Sequence, residues 1–138
     1  MTTNDSAYLL GFSYIPGIGP LRLRQIEDSF GSFELAWKAE SSRLLECFHD
    51  EAVVKAICLH RPRIDLSARW EMMSSRGIAL ISCHDSRYPA RLKEIYDYPA
   101  VLFCVGELPD ESQPCVAVVG SRRPTLYGRQ VAEELAAG

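Results

Sequence analysis

Val116-Ala117-Val118-Val119-Gly120-Ser121-Arg122-Arg123-Pro124-Thr125-Leu126-Tyr127-Gly128 is the stretch that decides the fold class. Apolar, β-branched residues run into a glycine, then a short basic loop, then a helix for which Thr125 is a natural N-cap. Gly128, Val131, Ala132 and Leu135 follow at i, i+3, i+4 and i+7, on one face of that helix. A glycine on this face lets the helix pack close to a sheet. Strand, loop and helix in this order form the opening βα unit of a doubly wound fold, whose ligands sit beyond the strand end at a helix N-terminus. Positive potential there has three sources: the backbone N–H groups of the helix start, Arg122 and Arg123. An anion belongs in such a place, above all a phosphate.

Two familiar phosphate loops are absent. Gly120 is followed by Ser121, Arg122 and Arg123, which is not G-x-G-x-x-G, and Thr125 stands where a P-loop requires glycine. A nicotinamide enzyme and a P-loop ATPase are thereby disfavoured. Arginine in the loop suggests a side-chain clamp, because a guanidinium grips two oxygens of a phosphate at once. The plainer alternative is that Arg122 or Arg123 solvates the loop or pairs with a surface carboxylate.

Working back from this stretch, Val101–Val105 and Ile78–Ile81 are two further apolar runs bounded by Gly, Pro or Asp, and all three read as buried strands. Between the first two, Pro89 opens a short helix with Leu92 and Ile95 or Tyr96 facing inward. Glu107 to Pro114 reads as a polar linker. Before Gly77 the pattern is a succession of short helices. Leu23, Ile26 and Phe30 share one helical face, as do Leu66, Trp70 and Met73. Ser32 and Ser41 are candidate N-caps, Pro62 suits a first turn, and Gly77 suits the position just past a helix end. Phe30, Phe33, Trp37 and Phe48 are expected to form the core of a small bundle. The division expected is a helical domain over residues 1–76 and an α/β domain over 77–138.

Within the bundle, Ile15-Pro16-Gly17-Ile18-Gly19-Pro20-Leu21 places two glycines in a tight turn between helices, where the absence of Cβ allows a close backbone approach. Helix-hairpin-helix proteins use such a turn to aim N–H groups and a helix N-terminus at a DNA phosphate. Gly17, Gly19 and Arg22 thus form a possible secondary DNA contact, with Arg24 close by. The same glycines also suit a compact helix–helix corner, and Glu27-Asp28 behind the arginines weighs against an anion.

Composition narrows the function further. The 138 residues are 47% hydrophobic and 24% charged with a net charge of −3, which fits a globular chain and not one that coats nucleic acid by bulk charge. No apolar run approaches the ~20 residues of a membrane span, and Met1-Thr2-Thr3-Asn4-Asp5 does not open a secretory signal. A cytoplasmic location is expected. The five cysteines form no C-x-x-C pair, and the three histidines supply no clustered zinc ligands. Reduced thiols, several of them buried, are expected, with no metal and no cofactor.

Taken together these motifs resemble the DNA processing protein A family, also called Smf. The segment Gly120-Ser121-Arg122 followed by Tyr127-Gly128 carries the resemblance. Gly77-Ile78-Ala79-Leu80-Ile81, Tyr88-Pro89 with Leu92-Lys93-Glu94-Ile95, Pro99-Ala100-Val101-Leu102-Phe103, Gly106 and Gly17-Ile18-Gly19 support it in the same order. The resemblance implies an α/β protein with a small helical, SAM-like (helix-hairpin-helix-like) N-terminal domain, followed by the truncated start of an extended Rossmann-like domain. It further implies single-stranded DNA binding and protection, RecA loading during natural transformation, and a homodimer in the full-length protein. By this resemblance Arg122 contacts the strand, Gly120 and Ser121 shape the pocket, and Arg123 matches less strictly.

A doubly wound sheet needs a return strand after its first crossover, so the chain reads as an N-terminal fragment with weak or no DNA binding by itself. No catalytic residue is expected. Two rival readings remain. A phosphoribohydrolase-like Rossmann enzyme would need a downstream Gly-Gly-x-Gly-Thr loop and a glutamate. A protein-interaction module would use the helical half alone.

Overall fold

A computed structural model describes residues 3–109 and 112–137. The elements run α1 (Thr3–Ser13), α2 (Pro20–Phe30), α3 (Phe33–Lys38), α4 (Ser41–Phe48), α5 (Glu51–His60), a 3-10 turn at Arg61–Arg63 and α6 (Leu66–Ser75). β1 (Ile78–Ser82), a 3-10 turn at Ala90–Glu94, β2 (Val101–Val105) and α7 (Leu126–Ala137) follow. Among the described residues no helix is long and apolar enough to cross a membrane. The chain divides into two compact units, Met1–Leu108 and Pro109–Gly138. The expected break at 76/77 follows the change of local structure from helix to strand, whereas compactness divides the chain 32 residues later.

The first unit is a helical cluster with a two-stranded antiparallel ribbon, Ile78 opposite Val105 and Ser82 opposite Val101. Its helices begin and end on local chemistry. The Ser32 hydroxyl accepts from the Glu34 and Leu35 amides at the start of α3, and the Asp50 carboxylate accepts from Ala52 and Val53 at the start of α5. Gly77, with φ of 65°, takes the left-handed position after α6 that a side chain would strain. Ser41 is the first residue of α4 instead of its cap; Glu40 holds that position without a side-chain bond. Leu23, Ile26, Phe33, Leu44, Phe48, Val53 and Ile57 form the core around Phe12, with Phe30 and Trp37 partly buried against it. Phe12 meets Trp37 edge-on at 4.9 Å between ring centroids.

The ribbon packs on this cluster through Leu80, Ala100 and Val101. Its strands are only partly buried, unlike the buried strands expected, because among the described residues of this unit one face of the two-stranded ribbon carries no second layer. Phe103 and Val105 are exposed. A smaller core joins Ile81, Cys83 and Tyr88 with Leu92 and Tyr98. Leu92 faces inward as expected, but Ile95 and Tyr96 do not. Tyr96 is 89% exposed, and Tyr98 takes the inward place. The Tyr88 hydroxyl donates to the Pro99 carbonyl at 2.6 Å, so Tyr88-Pro89 closes the loop between the strands.

The second unit contains α7 and the segment leading to it. Cys115–Val119 is not a strand among the described residues, which corrects the expectation. A strand needs a neighbour for its N–H and C=O groups, and none is described in this unit; Val116 and Val119 are accordingly 89% and 88% exposed. Of the expected linker, Asp110 and Glu111 lie outside the described residues. Mixed helix and strand content agrees with an α/β class, and the two-stranded sheet is antiparallel.

Candidate functional site

The Gly120–Gly128 loop carries Arg122 and Arg123 ahead of the N-terminus of α7. Thr125 is the N-cap of α7, as expected: its hydroxyl accepts from the Gly128 amide at 3.1 Å and its carbonyl from the Arg129 amide at 3.0 Å. Ser121 folds the loop on itself, its hydroxyl oxygen lying 3.2 Å from the Arg123 amide that donates to it. Arg122 and Arg123 are exposed, and neither side chain makes an ion pair with a described residue. Gly120, Ser121, Arg123, Thr125, Arg129 and Glu133 are among the residues lining a surface cavity of about 720 Å³. Of the four predicted residues, Gly120, Ser121 and Arg123 line this cavity and Arg122 does not. Gly128 sits against its own cap. A Cβ there would meet the Thr125 hydroxyl at 3.3 Å, so its smallness protects the cap.

The apolar face of α7 is oriented as the periodicity predicts. Gly128, Val131, Ala132 and Leu135 lie with Val116–Val119 around a second cavity of about 710 Å³.

The other predicted contact is arranged differently. Gly17 adopts φ of 85°, and Gly19 is the N-cap of α2. Arg22 does not project away from the turn. Its Nη1 donates to the Gly17 carbonyl at 2.6 Å and its Nη2 pairs with Asp50 Oδ2 at 2.7 Å. It ties the turn to the start of α5, so its charge is already matched by a carboxylate. Gly17, Gly19 and Arg22 do share one open cavity of about 520 Å³ with Gln25. Arg24 lies over the Tyr98 ring at 4.3 Å.

One group of polar residues was not foreseen. Glu27 of α2 and Cys83 and His84 after β1 bring a carboxylate oxygen, a thiol and an imidazole nitrogen within 4.8 Å of one another. Glu27 Oε2 and His84 Nε2 are 2.8 Å apart. Burial, and then the Glu27 charge, raise the Cys83 thiol above its ordinary pKa. Beside it, the Arg87 guanidinium holds the Asp85 carboxyl at about 2. The signal for this group lies in the fold, since 57 residues separate Glu27 from His84.

Comparison with known proteins gives these features a context. The family described as DNA recombination-mediator protein A matches residues 79–138. Protein Smf of Synechocystis sp. is 33% identical over 134 residues, spanning 93% of this chain and 33% of that protein. DNA processing protein DprA of Bacillus subtilis is 44% identical over 61 residues, spanning 44% of this chain and 20% of that protein. The chain thus covers a third or less of the length of these relatives. No solved structure matches it at a comparable level of significance. The Gly120–Arg122 loop and its capped helix lie inside the matched segment, and the Smf match extends across the helical unit as well. The chain belongs to the DprA/Smf family.

Proposed function

We propose that this chain takes part in DNA recombination during natural transformation, binding the phosphodiester backbone of single-stranded DNA at Gly120, Ser121, Arg122 and Arg123. The observation that carries this reading is the pairing of two exposed guanidinium groups, neither engaged by a described carboxylate, with the capped N-terminus of α7. A helix N-terminus and a guanidinium both favour an oxyanion. The loop reads backbone charge and not base identity, which suits a protein that must accept any incoming strand. The family description, a DNA recombination mediator, agrees with that chemistry. On this reading the protein acts by binding and not by catalysis, in the cytoplasm. It shields the strand, passes it to RecA and works as a homodimer in its full-length form.

Fluorescence anisotropy with labelled oligonucleotides tests the reading at low salt. The 138-residue chain should bind weakly, with affinity falling as salt rises. Arg122→Glu removes one cation and adds an anion, and should weaken binding by roughly tenfold or more, alike for every base composition. Unchanged affinity in that variant would remove Arg122 from the site. Release of ribose phosphate from a nucleoside monophosphate by the chain would overturn the non-catalytic part.

A further inference from the structure

We propose that Glu27, Cys83 and His84 form a zinc-binding site that fastens α2 to the β1–β2 ribbon. The three donors are a thiol, an imidazole and a carboxylate, the set that zinc accepts in tetrahedral sites. Tetrahedral bonds of ~2.0–2.3 Å place neighbouring ligand atoms ~3.3–3.6 Å apart. The three atoms already lie within 4.8 Å of one another, so small side-chain rotations bring them to that spacing. Glu27 Oε2 and His84 Nε2, now 2.8 Å apart, would open slightly to admit the ion.

The backbone behind the site is fixed before any metal arrives. The Cys83 amide donates to the Ala100 carbonyl at 2.9 Å, and the Asp85 amide donates to the Ser82 carbonyl at 2.9 Å. The Asp85 carboxylate then accepts from the Arg87 amide and guanidinium. Access is also provided, because Cys83 is buried while His84 is exposed and Glu27 half-exposed. The ion would therefore enter from the solvent side, with the thiol as the inner ligand and water in the fourth position. On binding, the Sγ–H bond of Cys83 breaks, its proton passes to solvent, and the thiolate electron pair forms the Zn–S bond. His84 binds through its neutral ring and Glu27 as a carboxylate.

The test uses the reduced, metal-free, untagged 138-residue chain. Zn²⁺ titrated against a chromogenic chelator should bind at one equivalent. Co²⁺ should give a thiolate-to-cobalt charge-transfer absorption. Cys83→Ala should abolish that band, and Cys58→Ser, an exposed cysteine outside the group, should leave it intact. His84→Ala and Glu27→Gln should each weaken zinc binding by roughly tenfold or more. His84 is exposed, so its variant keeps the fold and the test stands even where a Cys83 variant unfolds. A Co²⁺ complex without a thiolate band, a band that survives Cys83→Ala, or zinc affinity unchanged in His84→Ala would each overturn the proposal.

Discussion

Replacing Arg22 decides whether the Gly17–Gly19 turn is held from within or presents its charge to a phosphate. Arg22 makes two contacts, one to the Gly17 carbonyl at 2.6 Å and one to Asp50 Oδ2 at 2.7 Å. A hydrogen bond to a charged group contributes about 1.5–3 kcal/mol when shielded, and an exposed ion pair about 0.2–1 kcal/mol. The two side chains are 33% and 36% exposed, so water replaces part of both contacts. Arg22→Ala should therefore cost about 1–2 kcal/mol. In a folding unit of roughly 100 residues this lowers the melting temperature by roughly 4–10 °C. Asp50→Asn separates the ion pair from the cap, because asparagine retains the oxygen that accepts from Ala52 and Val53. A double-mutant cycle of the two changes, followed by urea unfolding, should return a coupling of about 0.5–1 kcal/mol. Oligonucleotide affinity should stay at the wild-type level in Arg22→Ala. A variant of unchanged stability and weakened DNA binding would refute the clamp and restore Arg22 to the DNA surface.

Two further substitutions probe packing and capping. In Gly11→Ala the new Cβ would lie 2.4 Å from Leu66 Cδ2 and 2.8 Å from the Trp37 ring. Overpacking of that kind costs about 1–3 kcal/mol against about 1 kcal/mol gained in helix propensity. Net destabilisation is expected in urea unfolding, and a gain in stability would show that α1 is free to move away from its neighbours. Thr125→Ala removes the acceptor of the Gly128 amide and should cost α7 about 1 kcal/mol, seen as lost helical circular dichroism. Thr125→Ser should restore it, since the serine hydroxyl caps equally well.

Features that depend on a few neighbouring residues were legible in the sequence. Ser32, Thr125 and Gly77 announce helix ends because a cap or a left-handed turn is built from atoms within four residues. Cys115–Val119 shows the opposite case. Its β-branched run expresses a preference for burial in a sheet, but strand formation belongs to a pair, and the partner is not encoded in the run. The half-burial of Val101–Val105 was hidden for the same reason, since the missing second layer is a property of the ribbon.

The candidate sites divide along the same line. Arg122 and Arg22 look alike in sequence, each a basic residue beside a glycine turn and a helix start. What separates them is a carboxylate 28 residues away that the fold delivers to Arg22, while no described carboxylate reaches Arg122. The Glu27–Cys83–His84 group was invisible for that reason too, because Glu27 lies far along the chain from the adjacent Cys83 and His84 and meets them only through the packing of α2 beside the end of β1. A basic turn can thus be assigned to an external anion only after the internal acids have been placed. By that criterion the Gly120–Arg123 loop is the one proposed to take an external anion, while Arg22 beside the Gly17–Gly19 turn is already engaged by Asp50.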